Sequence, residues 1–149
     1  MAKIELHPDF KDFLKFLNLN KVKYLLVGGY AVGYHGYPRA TGDMDIWIAL
    51  SKENAKRAAQ ALIDFGMSAK EVTFEIFMEE HKVVRMGLSP VQIEVITSVT
   101  GVEFGECYKR RETIKVGDIS INIISLEDLK QNKRATGRHQ DLEDLEHLP

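Results

Sequence analysis

One six-residue segment constrains the fold more than any other part of the chain, because apolar and polar residues alternate along it. The apolar positions are Met44, Ile46 and Ile48, and the positions between them begin with Asp43 and Asp45. A period of two is typical of a β-strand with one face in a core. The chain is therefore expected to build a sheet that carries two carboxylates on one of its faces.

Helical and strand patterns follow one another along the rest of the chain. Pro8 opens a segment whose apolar residues are spaced three and four apart, and Ser51 and Ser125 stand where helix caps belong. Two β-rich runs flank residues 88–90, a connection too short for a parallel crossover, which needs about a dozen residues. We therefore expect an α/β fold with a mixed, partly antiparallel sheet, helices mainly on one face and the carboxylates on the other.

The sequence is less direct about the secondary structure and packing of two further segments. Residues 69–80 fit both a period of two and a helical period, and we favour a helix there. The last segment places three leucines on one helical stripe: Leu142, Leu145 and Leu148. Asp141 and Asp144 stand beside that stripe, and we expect them to pair with Arg134 or Arg138 and so dock the last helix.

The composition excludes several classes of protein. With 149 residues, positions 1–149 are expected to form a single domain. No apolar run approaches the roughly 20 residues of a membrane span, and the N-terminus has no signal-peptide core, so we expect a cytoplasmic protein without a membrane partner. A single cysteine, Cys107, excludes an internal disulfide. The formal net charge of -2 means that any phosphate contact must come from a local basic cluster.

The acidic residues of the strand supply candidate chemistry. In a strand, Asp43 and Asp45 project from the same face, close enough to bind one divalent cation or to bridge two. Glu94 occupies the polar face of another predicted strand and is the candidate third carboxylate. Three such acids would repel one another without a cation. The simpler alternative is that all three are solvated side chains.

A glycine pair stands upstream of the acids. Gly28 and Gly29 end the short apolar run 24–27 and precede a brief helical segment, 30–35. Glycines allow a ligand to approach the backbone closely, and free N–H groups there favour a phosphate. The alternative is a tight turn without a ligand. We expect the phosphates of a substrate to meet a metal between this pair and the acids.

The order of these motifs resembles a known superfamily. Residues 27–29 are Val-Gly-Gly, residues 39–46 are Arg-Ala-Thr-Gly-Asp-Met-Asp-Ile, and residues 93–96 are Ile-Glu-Val-Ile. This combination resembles the polymerase-β-like nucleotidyltransferase superfamily, and in particular its small prokaryotic branch of minimal nucleotidyltransferases and abortive-infection toxin-antitoxin proteins. Residues 125–134 are similar to the closing helices of that branch. The resemblance therefore covers most of the chain.

The resemblance implies a two-metal transfer reaction. Asp43 and Asp45 would hold two Mg²⁺ ions, and Glu94 would help to bind one of them and accept a proton. Besides the glycine pair, the implied nucleotide contacts are Arg39, Thr41, Lys130, Lys133 and Arg134. The last three share one side of a predicted helix at i, i+3 and i+4 and form a local basic cluster. A solvated helix face is the alternative for that cluster.

Two departures from the superfamily pattern keep a second function open. Tyr30 stands where the superfamily often has Ser, and Glu94 where it often has Asp. The leading hypothesis is a Mg²⁺-dependent nucleotidyltransferase that moves a nucleoside monophosphate from a nucleoside triphosphate to an acceptor hydroxyl on RNA, protein or a small molecule. The alternative is a catalytically weak relative that acts as a toxin-antitoxin component by binding a partner protein. A third hypothesis is a small-molecule binding domain without catalysis.

Overall fold

The fold is built from helices and strands that a computed structural model describes over residues 4–88 and 91–149. The helices of this part of the chain are α1 (Pro8–Leu19), α2 (Gly28–Tyr34), α3 (Lys52–Phe65), α4 (Phe104–Lys109), α5 (Leu126–Thr136) and α6 (His139–His147). Its strands are β1 (Tyr24–Val27), β2 (Asp43–Ile48), β3 (Val83–Leu88), β4 (Val91–Ile96), β5 (Glu112–Val116) and β6 (Ile119–Ile123). None of these helices is both long and apolar enough to cross a membrane.

The strands form one six-stranded mixed sheet in the order β3-β4-β2-β1-β6-β5. β1 pairs in parallel with β6, as β2 does with β4, whereas the other neighbouring strands are antiparallel. The expected α/β class with a partly antiparallel sheet is therefore confirmed. The expected hairpin of β3 and β4 is present as well, and its connection, Ser89-Pro90, lies outside the described residues.

The core forms around the two central strands. All four residues of β1 are buried. The alternation in β2 has the predicted effect, with three fully buried side chains: Met44, Ile46 and Ile48. The predicted inward face of α1 is also buried: Phe10, Phe13, Leu14 and Leu17. α3 begins and ends where expected, because the Ser51 hydroxyl accepts a hydrogen bond from the backbone of Asn54 and Gly66 follows the helix at φ 126°.

The segment before β3 differs from the expectation. The pattern predicts a helix over 69–80, but the structure contains only a five-residue 3₁₀ turn, Phe74–Met78. Phe77 is buried in the core, whereas Ile76 is 37% exposed, so the apolar residues do not share one helical face. The ring of Phe74 instead packs under the ammonium group of Lys56 on α3. Tertiary packing therefore outweighs the local pattern, and the helix prediction is wrong outside this turn.

The last helix buries acids where leucines were expected. Leu142 is 49% exposed, whereas Asp141 and Asp144 are 1% and 0% exposed. The prediction of an inward leucine stripe is therefore wrong at Leu142, because charged partners from the neighbouring helix and loop surround the two acids. Asp141 does pair with Arg138, at 2.8 Å, as expected. Arg134 makes no ion pair with either acid within the described residues.

A buried amide ties α3 to the ends of β1 and β2. Asn54 is 3% exposed, and its Oδ1 accepts a hydrogen bond from the backbone N–H of Lys23 at 2.8 Å. Its Nδ2 donates to the carbonyl of Lys23 at 3.1 Å and to that of Ala49 at 3.0 Å. One side chain therefore satisfies three backbone groups at the edge of the core.

We expect Asn54→Ala to lower the free energy of unfolding by about 2–4 kcal/mol, because the Lys23 N–H and the Ala49 carbonyl lose their partner, whereas the Lys23 carbonyl keeps the Ala49 N–H. Gln60→Ala removes an exposed hydrogen bond from the same helix and should change that free energy by less than about 0.5 kcal/mol. Urea denaturation followed by circular dichroism measures both values. Similar effects of the two substitutions would contradict the role given to Asn54.

Candidate active site

Three carboxylates lie on one face of the sheet where β2 and β4 run side by side. The strands are parallel, and their register pairs Asp43 with Gln92 and Asp45 with Glu94. Residues paired in this way point to the same face, so Glu94 lies beside Asp45, and Asp43 lies two positions earlier on that face. The structure thus brings together the three acids that the sequence selects.

The end of β1 closes against these acids. Its last residue, Val27, pairs with Asp45, and Gly28 follows at φ 67°. A Cβ atom on Gly28 would overlap the Asp45 carboxylate, and a Cβ atom on Gly29 would come within 2.6 Å of the Thr41 side chain. Glycine at both positions is what allows the backbone to approach the acids and Thr41 so closely.

Asp45 carries an unfavourable charge. Burial first, and then the carboxylates of Glu94 and Asp43, raise the pKa of Asp45 to about 7, while Lys133 acts in the opposite direction. One of its oxygens, Oδ1, is buried and has no hydrogen-bond partner within the described residues. A buried oxygen without a donor, next to two more carboxylates, fits a divalent cation.

Glu94 is held by an arginine that the sequence analysis does not select. Arg85 lies opposite Glu94 in the β3–β4 pair, and its Nε donates to Glu94 Oε1 at 2.8 Å. This ion pair neutralises the third carboxylate. In the described ranges, no three Asp, Glu, His or Cys side chains are already arranged to hold a metal ion.

The register of the hairpin explains this ion pair. Leu88 pairs with Val91 at the end of the hairpin, and Arg85 and Glu94 each lie three residues further from the connection. A symmetric hairpin register therefore places the two side chains opposite each other. The predicted connection, 88–90, would instead place Val84 opposite Glu94, so the register in the structure was needed to find Arg85.

Arg39 and Thr41 lie in the loop before β2. The guanidinium group of Arg39 donates to both carboxylate oxygens of Asp144, with Nε at 2.9 Å and Nη2 at 3.1 Å. The hydroxyl of Thr41 donates to the carbonyl of Arg39 at 3.2 Å. Both residues line a cavity of about 370 Å³ together with Gly29 and Tyr30. Arg39 therefore docks α6, and its contact with a phosphate stays a prediction.

The three basic residues of α5 do not form one surface patch. Lys133 is 5% exposed and lies inside the protein, whereas Arg134 is exposed and Lys130 is half-buried. Successive residues of an α-helix are roughly 100° apart around its axis, so Lys133 and Arg134 face different surroundings. No polar contact within the described residues joins any two of the three side chains.

Lys133 is the member of this cluster that approaches the acids. It lines a cavity of about 530 Å³ that is also lined by Gly28, Asp45 and Arg138. Its ammonium group also lies 3.1 Å from Asp144 Oδ2, the same oxygen that accepts a hydrogen bond from Arg39 Nη2. Arg138, which the sequence analysis assigns only to docking, lies at the edge of this cavity.

Comparisons with known proteins identify the fold. No protein-family model and no curated protein matches the sequence. A solved structure of a candidate nucleotidyltransferase from Thermotoga maritima superposes with a TM-score of 0.65 at 18% identity, covering 95% of this chain and 93% of that one. An antigenic nucleotidyltransferase-like protein from Paracoccidioides brasiliensis gives a TM-score of 0.55 at 15% identity, covering 92% of this chain and 72% of that one. The chain therefore has a nucleotidyltransferase-like fold.

The pKa of Asp45 leads to a pH-dependent prediction. The ordinary value is 3.8 and the folded protein raises it to about 7, so the metal-free protein loses stability as the pH rises between these values. Asp45→Asn removes this charge. Without metal, the variant should melt at a higher temperature than the wild type at pH 8 and at a similar temperature at pH 4.

Melting curves followed by circular dichroism in the presence of a chelator test this difference. Asp118→Asn, in the exposed turn between β5 and β6, is the control and should show the same difference from the wild type at both pH values. A lower melting temperature of Asp45→Asn at pH 8 would assign Asp45 to a stabilising role in the fold.

Proposed function

We propose that this protein is a Mg²⁺-dependent nucleotidyltransferase that acts in the cytoplasm and moves a nucleoside monophosphate from a nucleoside triphosphate to an acceptor hydroxyl. The observation that carries the proposal is the buried Asp45 Oδ1, which has no partner within the described residues and lies beside two more carboxylates. The nucleotidyltransferase-like fold supports it, because similar structures belong to a candidate nucleotidyltransferase and a nucleotidyltransferase-like protein.

The donor set suits the cation of the proposal. Mg²⁺ prefers oxygen ligands and is commonly held by one or two carboxylates together with substrate phosphates. Asp43 and Asp45 would hold two such ions, and Glu94 would contribute once it is released from Arg85. When bound, Mg²⁺ neutralises the triphosphate and stabilises the charge that develops on the leaving pyrophosphate.

The other parts of the proposed reaction are assigned to residues of the protein. The acceptor oxygen forms a bond to the α-phosphorus while the bond from that phosphorus to pyrophosphate breaks, and the hydroxyl proton passes to a carboxylate oxygen of Glu94. The close backbone approach at Gly28 and Gly29 leaves space for phosphate oxygens beside the acids. Lys133 and Arg39 supply positive charge from the two cavities that they line.

A transfer assay tests the proposal. The protein is incubated with each of the common ribonucleoside triphosphates labelled at the α-phosphate, with Mg²⁺, and with RNA, protein extract or small hydroxyl compounds as separate acceptors. We expect transfer of label to one acceptor class, and a loss on the order of 10²-fold in rate for Asp43→Asn, because a charge-stabilising group is removed.

Asp64→Asn is the matched control for this assay. Asp64 is an exposed acid near the end of α3, and its replacement should leave the transfer rate unchanged. A wild-type protein that transfers no label from any triphosphate to any acceptor would contradict the proposed activity.

The ion pair between Arg85 and Glu94 supports a second candidate function. When Arg85 pairs with Glu94, Asp43 and Asp45 are the two carboxylates of the site that are left to bind a cation. This arrangement suits a catalytically weak protein. Such a protein would act as a toxin-antitoxin component by binding a partner protein. The enzyme and the partner-binding protein differ in whether Glu94 is ever released from Arg85.

Arg85→Gln separates the two candidates. In the enzyme, freeing Glu94 should lower the Mg²⁺ concentration for half-maximal transfer several-fold, because a carboxylate becomes available to the cation. Arg57→Gln, which breaks an exposed ion pair with Glu53 on α3, should leave that concentration unchanged. In the partner-binding protein neither variant transfers label, and the wild type instead co-purifies with the product of a neighbouring gene.

A further inference from the structure

A single carboxylate on the last helix joins the two cations that flank the acidic site. We infer that Asp144 is a positioning residue, whose carboxylate holds Arg39 and Lys133 in the orientations from which they meet the phosphates of a nucleoside triphosphate. The inference rests on the proposed function and adds to it a residue far from the strand motifs in the sequence.

Three hydrogen bonds and one further ion pair converge on the Asp144 carboxylate, which is completely buried. Arg39 donates two of them, at 2.9 and 3.1 Å, and Gln140 donates one at 2.9 Å. The Lys133 ammonium group lies 3.1 Å from Asp144 Oδ2, the oxygen that also accepts from Arg39 Nη2. Burial raises the pKa of Asp144, but the bonds from Arg39 and Lys133 outweigh it and bring the pKa below its ordinary value. Asp144 therefore remains a charged anchor between two cations.

The two cations belong to different cavities that meet at the glycine pair. Arg39 lines the cavity that includes Gly29. Lys133 lines the cavity that includes Gly28 and Asp45. A triphosphate bound beside the acids would therefore meet both cations, and the Asp144 carboxylate is the group that holds them next to each other.

The anchor matters because the cations are on long side chains. Arginine and lysine lose rotamer freedom when a ligand orders them, and this loss weakens binding unless the protein has ordered them beforehand. Without Asp144, the one acid that still pairs with Lys133 among the described residues is Asp141, at 3.1 Å, which also binds Arg138. Arg39 has no other side-chain partner within the described residues. We expect both cations to leave their present positions.

The chain contains a matched carboxylate outside the site. Asp128 is 7% exposed and accepts two hydrogen bonds from Arg110, from Nε at 3.0 Å and from Nη2 at 2.9 Å. This is the same paired geometry that Arg39 forms with Asp144, and it lies in a part of the surface without the candidate metal ligands. Asp128→Asn therefore reproduces the loss of a buried ion pair without disturbing the two cations.

Calorimetric titration tests the inference. The wild type, Asp144→Asn and Asp128→Asn are titrated with ATP, GTP, CTP and UTP in the presence of Mg²⁺, and the nucleoside of the best ligand is measured by competition. We expect Asp144→Asn to weaken triphosphate binding by about tenfold or more, since Arg39 and Lys133 are then no longer ordered before the ligand binds. Binding of the nucleoside should stay unchanged, and Asp128→Asn should bind both ligands like the wild type.

The outcomes distinguish this inference from the proposed function. A wild type that binds none of the four triphosphates overturns both. A wild type that binds, together with an Asp144→Asn variant that binds equally well or more tightly, overturns the inference alone, because Asp144 would then only compete with phosphate for the cations. Equal weakening by both variants would assign Asp144 to the stability of the fold and also overturn the inference.

A second variant keeps the test decisive if Asp144→Asn does not fold. Asp144→Glu retains the charge but moves the carboxylate by one methylene, so a positioning role predicts triphosphate binding weaker than that of the wild type and unchanged nucleoside binding. Triphosphate binding equal to that of the wild type would show that the exact position of this carboxylate is unimportant and would reject the inference.

Discussion

The organisation of this protein depends on how it neutralises carboxylates that are removed from water. A buried carboxylate is tolerated when cations and hydrogen-bond donors surround it. Asp141 and Asp144 meet this condition, since Lys133 lies 3.1 Å from both and Arg39 binds Asp144 with two hydrogen bonds. Asp45 does not, because its Oδ1 has no partner within the described residues. The contrast separates acids that hold the fold together from an acid whose buried oxygen the fold leaves without a donor.

The mixed sheet creates this contrast by placing β2 between two neighbours of opposite direction. The antiparallel pairing with β1 brings Gly28 against Asp45, and the parallel pairing with β4 brings Glu94 to the other side of the same residue. The β3–β4 hairpin then adds Arg85, which binds Glu94. In the proposed enzyme, Glu94 would exchange this arginine for a cation.

The last helix is tied to the loop and the helix that border the candidate site. Asp144 and Arg39 are 105 residues apart in the sequence, yet their ion pair ties α6 to the loop that leads into β2. Lys133 extends this connection to α5 and to the cavity beside Asp45. In the proposed enzyme, the closing helices therefore determine where positive charge meets the triphosphate, although they carry none of the three acids.

The sequence by itself determined the elements whose signals are local. The alternation through β2 and the cap at Ser51 appear as predicted, because period and capping depend on residues a few positions apart. The order of the glycine pair and the acids also indicated the nucleotidyltransferase-like fold. Only the tertiary structure decided that Lys133 turns inward and that α6 buries Asp144 while exposing Leu142. A helical pattern shows which residues share a face, but the face that is buried depends on partners from distant segments, and here those partners are charged.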